Sequence, residues 1–335
     1  MNTLGTSTNH ETRPLLTVSD LRVQFDTFGG TLKAVDGVDL LVNEGETLGL
    51  VGESGCGKTV TALSILRLLP SPPARLQGRI IFDDSDLLLL GKDKIRLVRG
   101  NSISMIFQEP MTSLNPVMNA GRQIAEAIIL HQGLSHREAW EKAVDMLHLV
   151  QIPSPRQRAK EYPHRMSGGM RQRVGIAMAL ACNPRLLLAD EPTTALDVTI
   201  QAQIVDLILQ LKERFKMSMV LISHDLGLIA EMASRVAVMY AGQIVEEATV
   251  REMSRDPLHP YTKGLVGSVP VLGRKFSSGQ SRLKVIPGMV PSLHEIPTGC
   301  RFHPRCSQAQ PLCYEKAPDL LESREGRKVR CWFWQ

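Results

Sequence analysis

A glycine-rich segment near the start of the chain has the residue types and spacing of a phosphate-binding loop (P-loop). Residues 52–59 have the sequence GESGCGKT. Its glycines allow the backbone to wrap so that amide groups point at phosphate oxygens. Lys58 is expected to reach the β- and γ-phosphates of a nucleotide, and the Thr59 hydroxyl is expected to bind Mg²⁺. The residues predicted to hold a nucleoside triphosphate here are Gly52, Ser54, Gly55, Cys56, Gly57, Lys58 and Thr59.

The segments on either side of this loop fit the same prediction. An apolar run over Thr47–Val51 predicts a buried parallel strand, and the spacing of apolar residues over 58–69 predicts a helix that ends before Pro70. A strand, a loop and a helix in this order bring the helix N-terminus and its dipole to the phosphates. The order of these elements argues against a chance match of the loop pattern.

A second apolar run, over 186–189, ends in two adjacent carboxylates, Asp190 and Glu191. Ligands of an open parallel sheet bind at the carboxyl ends of its strands, which is where this run delivers both side chains. We expect Asp190 to hold Mg²⁺ and Glu191 to orient and polarise the attacking water. The competing interpretation is a plain turn before Pro192, which the presence of a P-loop disfavours.

Four further short motifs follow the P-loop, and each is common when it occurs alone. They are Gln108 after the apolar run 103–107, the sequence MSGGM at 166–170, the sequence ALD at 195–197, and His224 after the apolar run 220–222. Their order and separation are informative. Together with the P-loop and the acidic pair, they make residues 16–335 resemble the nucleotide-binding subunits of ATP-binding cassette (ABC) transporters.

The resemblance implies an ATPase and assigns roles to single residues. Gln108 is expected to contact Mg²⁺ or the lytic water and to sense a transmembrane partner, and His224 is expected to contact the γ-phosphate. The residues that the resemblance assigns to hydrolysis are Lys58, Gln108, Glu191 and His224. Catalysis then consists of positioning and electrostatic stabilisation of in-line attack by water.

The sequence at 166–170 corresponds to the signature loop of the family. The resemblance implies that Ser167, Gly168 and Gly169 meet the γ-phosphate of an ATP held by a second cassette. Two cassettes would then enclose two nucleotides, and neither site would be active alone. Asp197 belongs to the neighbouring D-loop and is assigned to the nucleotide site as well. Residues 166 and 170 are Met where the family usually has Leu and Gln, but the Ser-Gly-Gly core is kept.

The adenine ring needs a flat partner, and two aromatic residues compete for this role. Phe25 ends the first alternating segment, over 21–25, and occupies the position of the family's stacking aromatic, with Phe28 as the competing candidate. An aromatic residue at a strand end is also often ordinary core. Stacking tolerates many bases, so the preference for ATP over GTP rests on the resemblance and on the lack of an Asn-Lys-x-Asp guanine motif.

Length and composition fit a folded enzyme with one cassette. The chain has 335 residues and 43% hydrophobic residues, its N-terminus is polar, and no apolar stretch is long enough to span a bilayer. We expect an α/β fold: a P-loop ABC ATPase core, with a parallel sheet and an antiparallel β subdomain, a helical signature subdomain and a small C-terminal cysteine-bearing extension. The expected segments are a disordered lead over 1–14, the nucleotide-binding core over 15–108, the helical subdomain over 109–184, the core again over 185–250, and the extension over 251–335.

The C-terminal extension is basic and rich in cysteine. From residue 271 onward there are eleven Lys or Arg residues and five Asp or Glu residues, which accounts for the whole excess positive charge. Such a patch is commonly solvated surface, while nucleic acid, acidic headgroups or an anionic cluster are other partners. Cys300, Cys306, Cys313 and Cys331 could hold a metal, although they lack the close cysteine pair of zinc sites and the spacing of ferredoxins. Free thiols are the third interpretation.

The C-terminal phrases narrow the resemblance further. The sequences HPYT at 259–262, IPGMV at 286–290 and GCRFHPRC at 299–306 are similar to those of dipeptide and oligopeptide permease ATPase subunits. This implies a [4Fe–4S] cluster at the four cysteines, besides ATP and Mg²⁺. It also implies import of di- or oligopeptides at the cytoplasmic face of the bacterial inner membrane, with a second cassette ATPase, two transmembrane permease subunits and, indirectly, an extracytoplasmic substrate-binding protein. The permease contact is expected near Gln108 and the loop 109–116.

Two other functions compete with peptide import. Closely similar machinery imports nickel or glycosides, and the sequence does not separate these cargoes because this subunit does not touch them. The alternative from another class is a soluble ABC ATPase acting on ribosomes or nucleic acid. A single cassette, cysteines at the C-terminal end and the lack of a long charged coiled-coil insertion oppose that alternative, so no nucleic-acid partner is expected.

Overall fold

The computed structural model describes residues 13–109, 113–194, 196–268, 285–323 and 326–334. The strands are β1 (Pro14–Thr27), β2 (Gly30–Asn43), β3 (Thr47–Val51), β4 (Ala74–Phe82), β5 (Ser85–Asp86), β6 (Ile103–Ile106), β7 (Leu186–Asp190), β8 (Ser218–Ser223), β9 (Arg235–Tyr240), β10 (Gln243–Thr249), β11 (Leu321–Glu322) and β12 (Lys328–Val329). The helices are α1 (Lys58–Ile65), α2 (Lys92–Val98), α3 (Ala120–Gln132), α4 (His136–Leu149), α5 (Pro155–Arg158), α6 (Gly168–Leu180), α7 (Val198–Phe215), α8 (Leu226–Met232), α9 (Val250–Arg255), α10 (Pro260–Gly267) and α11 (Pro311–Glu315), with 3₁₀ turns at Pro163–Arg165 and His303–Arg305.

The larger sheet has the strand order β11-β12-β10-β9-β3-β8-β7-β6. Strands β6, β7, β8, β3 and β9 pair in parallel, and β10, β12 and β11 are added antiparallel at one side. All residues of β3, β6, β7 and β8 are buried, as expected for parallel strands covered on both faces. Because parallel strands end at the same edge, this sheet collects the residues that follow β3, β6, β7 and β8.

A smaller antiparallel sheet, in the order β2-β1-β4-β5, covers one side of this core. The alternation of apolar residues over 21–25 and 34–42 is typical of antiparallel strands. These segments lie in β1 and β2, respectively, which pair along most of their length. Their inward residues share one apolar cluster with residues of β3, β7 and β8. The smaller sheet therefore packs against the strands that carry the P-loop and the acidic pair.

Helices dominate the described residues between β6 and β7. Helix α3 runs over Ala120–Gln132, within the segment predicted to be helical, with Asn119 as N-cap and a left-handed Gly133 at its end. The segment 135–150 forms α4, which starts in a capping box between Ser135 and Glu138. The apolar faces of α3, α4 and α6 join one buried cluster. These helices hold the start of α6, and with it the Ser-Gly-Gly motif, in a fixed place.

Some details of the predicted elements differ from the structure. The helix predicted over 58–69 ends at Ile65, because Arg67 adopts a left-handed backbone (φ 50°) that a helix cannot continue through. The lead expected to be disordered over 1–14 lies outside the described residues except for its last two, and β1 begins at Pro14. Residues 110–112 of the expected permease loop, Ala195 of the D-loop and residues 269–284 of the basic segment also lie outside them.

The C-terminal residues are joined to the core rather than separate from it. Strand β12 pairs with β10 and β11 pairs with β12, so both extend the larger sheet at its edge. An edge strand offers unpaired backbone groups that a further strand can use. Strands on both sides of the boundary expected at 250–251 therefore belong to the same sheet. The segment boundaries stay a prediction. Among the helices that the structure describes, none has the length and apolarity needed to cross a membrane.

Candidate functional site

The P-loop connects β3 to α1 and is held very close to β9. A Cβ atom on Gly52 would lie 2.2 Å from the main-chain oxygen of Met239, so only glycine fits at this position. The Lys58 side chain is buried, and its ammonium group donates to the carbonyl oxygens of Gly52 and Glu53 at 2.7 and 3.0 Å. The loop thus curls around the ammonium group of Lys58.

The start of α1 adds a second close approach. Gly57 has φ 108°, a left-handed conformation, and its Cβ would lie 2.8 Å from the oxygen of Ala34 in β2. The amide of Gly242 donates to the oxygen of Cys56 at 2.8 Å. The loop is therefore fixed by main-chain contacts to β2 and to the β9–β10 turn, while the first amides of α1 stay at its open end.

Asp190 and Thr59 form a pair of oxygen ligands beside the P-loop. Asp190 is 1% exposed, its carboxylate is hydrogen-bonded to the Thr59 hydroxyl, and its Oδ1 has no hydrogen-bond partner among the residues that the structure describes. Burial raises the pKa of Asp190, and the Thr59 hydrogen bond and the Lys58 charge oppose that rise. An unpaired buried carboxylate oxygen next to a hydroxyl suits Mg²⁺, which prefers hard oxygen ligands. The predicted contact of Gln108 with Mg²⁺ stays a prediction.

Glu191 is the centre of a polar network at the carboxyl edge of the sheet. His224 Nδ1 lies 3.1 Å from its Oε1, and its Oε2 accepts from Gln108 Nε2 at 3.0 Å and from the Thr194 hydroxyl at 2.9 Å. The side chain of Glu191 is 12% exposed, whereas that of His224 is 64% exposed. The structure thus brings together three residues predicted for hydrolysis, from the ends of β6, β7 and β8.

The environment of Glu191 keeps its carboxylate charged. Burial by itself would raise its pKa, but hydrogen bonds from His224 and Thr194, together with the charges of His224 and Lys58, lower the pKa below its usual value. Its backbone has φ 47°, an uncommon conformation for a residue other than glycine. An ionised carboxylate held by three donors can accept a proton from water or orient it for attack.

The Ser-Gly-Gly motif lies at the start of α6 and contacts a different part of the chain. The Ser167 hydroxyl caps α6 by accepting from the amide of Met170 at 3.3 Å. A Cβ on Gly168 or Gly169 would contact Leu196 and Ile200, respectively. These contacts place the motif against the D-loop and α7 of its own chain. Its predicted contact with the ATP of a second cassette stays a prediction.

Asp197 has a structural role that its motif did not indicate. It is the N-cap of α7 and accepts from the amide of Ile200 at 2.9 Å. Its predicted role at the nucleotide stays a prediction. Sequence reasoning also missed Thr194, for which no pattern was available, and Gln172, whose amide donates to the oxygen of Pro192 at 2.5 Å. Gln172 ties the helix of the signature motif to the loop after Glu191.

The two aromatic candidates for adenine have different surroundings. Phe25 lies in β1, where it pairs with Leu32 and Ala74, and packs partly buried against the apolar cluster of the smaller sheet. Phe28 lies in the β1–β2 turn and is fully exposed. Phe25 is thus partly exposed and held in place by its strand, and its assignment as the stacking partner of adenine stays a prediction.

The four C-terminal cysteines line one pocket, together with Phe302 and Trp332. All are free thiols, and burial raises the pKa of Cys300 to about 11. Across the ranges that the structure describes, no three His, Cys, Asp or Glu side chains are arranged so that they could hold a metal ion. The donor set has the chemistry of an iron–sulfur site, but its arrangement here is not that of a ligand shell.

The reactivity of the Cys56 thiol depends on its burial. A helix N-terminus can lower the pKa of a nearby thiol, but Cys56 is fully buried, and burial raises its pKa against the opposing effect of Lys58. We therefore expect Cys56 to react slowly with iodoacetamide at neutral pH and faster as pH rises above the usual thiol range, with MgATP protecting it. Peptide mass spectrometry over time would show this, and rapid labelling at neutral pH would contradict it.

Comparisons with known proteins agree with this geometry. Residues 35–194 match the family described as ABC transporter, and residues 245–313 match the one described as oligopeptide/dipeptide transporter, C-terminal region. A probable peptide ABC transporter ATP-binding protein, y4tR of Sinorhizobium fredii, is 55% identical over 95% of this chain and 94% of its own. The oligopeptide transport ATP-binding protein AppD of Bacillus subtilis is 49% identical over 96% of this chain and 97% of its own.

A solved structure shows the same arrangement of elements. The ATP-binding cassette MJ0796, in a dimeric post-hydrolysis state bound to ADP and Pi, has a TM-score of 0.63 and 27% identity, and covers 70% of this chain and 99% of its own. The fold and the site are those of a P-loop ATPase of the ABC class. With relatives of about 50% identity along most of the chain, the chain belongs to the ABC transporter ATP-binding proteins, in the group with the oligopeptide/dipeptide C-terminal region. It is an ATPase.

Proposed function

We propose that this ATPase drives the import of di- or oligopeptides through a membrane ABC transporter. The observation that carries the proposal is the joint match of the cassette and of the oligopeptide/dipeptide C-terminal region, found in that order in one chain. The relatives y4tR and AppD are named as peptide transport proteins and span nearly the same length. Nickel or glycosides are the alternative cargoes.

The site residues have different roles in ATP hydrolysis. Lys58 and the amides of the P-loop bind and orient the phosphates, while Asp190 and Thr59 would hold Mg²⁺, which neutralises charge on the phosphates. Glu191 accepts the proton of the attacking water or orients that water, and Gln108, Thr194 and His224 hold its carboxylate in place. Phe25 would stack on adenine.

A second cassette completes the site in this proposal. In their own chain, Gly168 lies beside Leu196 and Gly169 lies beside Ile200. The Ser-Gly-Gly motif would act on the phosphates of the nucleotide that another subunit binds. Closure of the pair on ATP would move two permease subunits, and hydrolysis would reopen it. The similar cassette MJ0796 forms a dimer with ADP and Pi, which supports this arrangement.

The permease subunits would dock near Gln108 and at the start of the helical region. Phe107 is 41% exposed and Val117 is 78% exposed, so apolar side chains are available on both sides of the expected loop. Association through these partners would place the chain peripherally, at the cytoplasmic face of the inner membrane. A substrate-binding protein outside the membrane would supply the peptide.

Affinity capture tests the proposed function. The tagged chain would be isolated from its native cells in mild detergent, and the proteins that accompany it would be identified. We expect two multispanning proteins and a second cassette ATPase, and we expect peptides to stimulate ATP turnover of the reconstituted complex when the binding protein is present. Stimulation by nickel or a glycoside instead would identify a different cargo. Recovery of ribosomal proteins or nucleic acid would contradict the proposal that the chain belongs to an importer.

We further propose that Cys300, Cys306, Cys313 and Cys331 ligate a [4Fe–4S] cluster. Their shared pocket and free thiols support this, as does the chemistry of four thiolates. Anaerobically purified protein is expected to contain iron and acid-labile sulfide in equal amounts, and both should be lost when all four cysteines are replaced by Ser. Stoichiometric zinc without sulfide would contradict the proposal, and so would protein that is free of both metals.

A further inference from the structure

An arginine of the cysteine-bearing segment makes a forked ion pair with the P-loop. Arg305 Nη1 lies 2.6 Å from Glu53 Oε2, and its Nη2 lies 2.9 Å from Glu53 Oε1. The Arg305 side chain is 5% exposed and that of Glu53 is 28% exposed. A bidentate pair of this kind fixes direction as well as distance. The pair joins residues 252 positions apart in the sequence.

The guanidinium of Arg305 is held in place by its other contacts. Its Nε donates to the oxygen of Pro287 at 2.8 Å, and its carbon lies 5.7 Å from the ring centre of Tyr240, in a cation–π arrangement. The ring of Phe302 packs edge-on against the same tyrosine at 5.2 Å. Because Arg301 also pairs with Asp36 of β2, the segment that carries both arginines is anchored at two points.

Glu53 is also fixed through its main chain. Its amide donates to the hydroxyl of Tyr261, a fully buried residue of α10, at 3.0 Å. Its carbonyl oxygen accepts from Lys58 at 3.0 Å. The side chain and the amide of this P-loop residue are therefore both held by residues that follow position 260. The C-terminal part of the chain shapes the loop that binds phosphate.

The charge of Glu53 gives this contact a consequence for ligand binding. A carboxylate in a loop that must accept a triphosphate repels the ligand, and at the short distances inside a binding loop this repulsion is only partly screened. The guanidinium of Arg305 compensates that charge. We propose that Arg305 is a positioning residue of the nucleotide site: it neutralises Glu53 and fixes its part of the P-loop, so that the cysteine-bearing segment sets the affinity for nucleotide.

Equilibrium binding to the full chain tests this proposal. The dissociation constant of a fluorescent ATP analogue would be measured with Mg²⁺ for the wild type and for Arg305→Gln, with unlabelled ATP as competitor. We expect about tenfold weaker binding by Arg305→Gln, within the usual range of coupling between sites. The deficit should shrink at high salt, which screens repulsion between charges. Arg305→Lys, which keeps the charge and loses the fork, should fall between these two proteins.

A second substitution separates charge compensation from folding. In Arg305→Gln/Glu53→Gln the unpaired carboxylate is removed, and binding should return to within about threefold of the wild type. The matched control is Arg327→Gln, because Arg327 is a 6% exposed arginine of the same C-terminal region that pairs with the buried Glu246. This variant loses a comparable buried ion pair on β10, which is separated from β3 by β9, and it should bind nucleotide like the wild type.

Three results would overturn the proposal. Wild-type affinity of Arg305→Gln would show that the pair does not matter for the ligand. An equal loss in Arg327→Gln would trace the effect to general stability of the C-terminal region. A double variant as weak as Arg305→Gln would remove the electrostatic argument. Thermal unfolding of each variant, followed by circular dichroism, identifies proteins that fail to fold. If Arg305→Gln fails to fold, the dissociation constant of Arg305→Lys is compared with that of the wild type instead.

Discussion

Replacement of Glu191 by Gln is expected to lower ATP turnover of the assembled transporter by about 10²- to 10⁴-fold, the usual contribution of a general base. Gln has the same shape and can still accept the hydrogen bond from Thr194, but its neutral amide cannot take a proton from water. The low pKa of Glu191 keeps the wild-type side chain ionised at neutral pH. ATP binding should persist, because the P-loop, and not Glu191, is expected to hold the phosphates.

The measurement is steady-state phosphate release by the complete complex, alongside the affinity for ATP. Glu231→Gln serves as the matched control, since Glu231 is exposed on α8, a short distance along the chain from His224. We expect this control to behave like the wild type. Near-normal turnover by Glu191→Gln in the full complex would rule out the proposed role of Glu191.

The sequence predicts which residues the structure brings together around Glu191, because each of them follows a local apolar pattern. Asp190 ends β7 and Glu191 follows it, His224 follows β8, and Gln108 comes two residues after β6. Apolar runs of four to six residues predict buried strands, and parallel strands in one sheet must end at the same edge. The network around Glu191 follows from this geometry. The order of the strands along the chain therefore predicts which side chains meet at this edge of the sheet.

Contacts between distant parts of the chain could not be predicted in this way. The pair of Arg305 with Glu53 and the addition of β12 to β10 join residues that no local pattern relates. The excess of basic residues at the C-terminal end suggested a surface patch, but Arg305 and Arg327 are buried and pair with carboxylates of the core. Charge counting shows how many such groups exist and does not show where their partners lie.

The second large effect is expected from Gly52→Ala, which should weaken nucleotide binding by roughly a hundredfold or more. The added Cβ would lie 2.2 Å from the oxygen of Met239 and 2.7 Å from Cys56 Sγ, so the loop must move by close to 1 Å. A misplacement of about 1 Å between reacting groups can cost about two orders of magnitude in rate, and we expect an effect of similar size on nucleotide affinity. The same fluorescent-nucleotide assay measures the effect.

Gly45→Ala is the matched control for Gly52→Ala. Gly45 lies in the turn before β3, its φ is 72°, and a Cβ there would have no atom within 4 Å. This variant carries backbone strain of about 1–3 kcal/mol and no steric clash, and it should bind nucleotide like the wild type. Wild-type affinity of Gly52→Ala would mean that the loop can bind phosphate away from β9.

Relief of the clash by movement of β9 is opposed by the sheet itself. Val238 of β9 pairs with Val51 of β3, and Met239 pairs with Ile244 of β10. Because β9 is hydrogen-bonded along both edges, withdrawal of the Met239 oxygen would break backbone bonds in the middle of the core, where each unsatisfied group costs about 1–3 kcal/mol. Residues 52–57 of the P-loop form neither helix nor strand, so the loop is the part that moves, and nucleotide binding is weakened as a result.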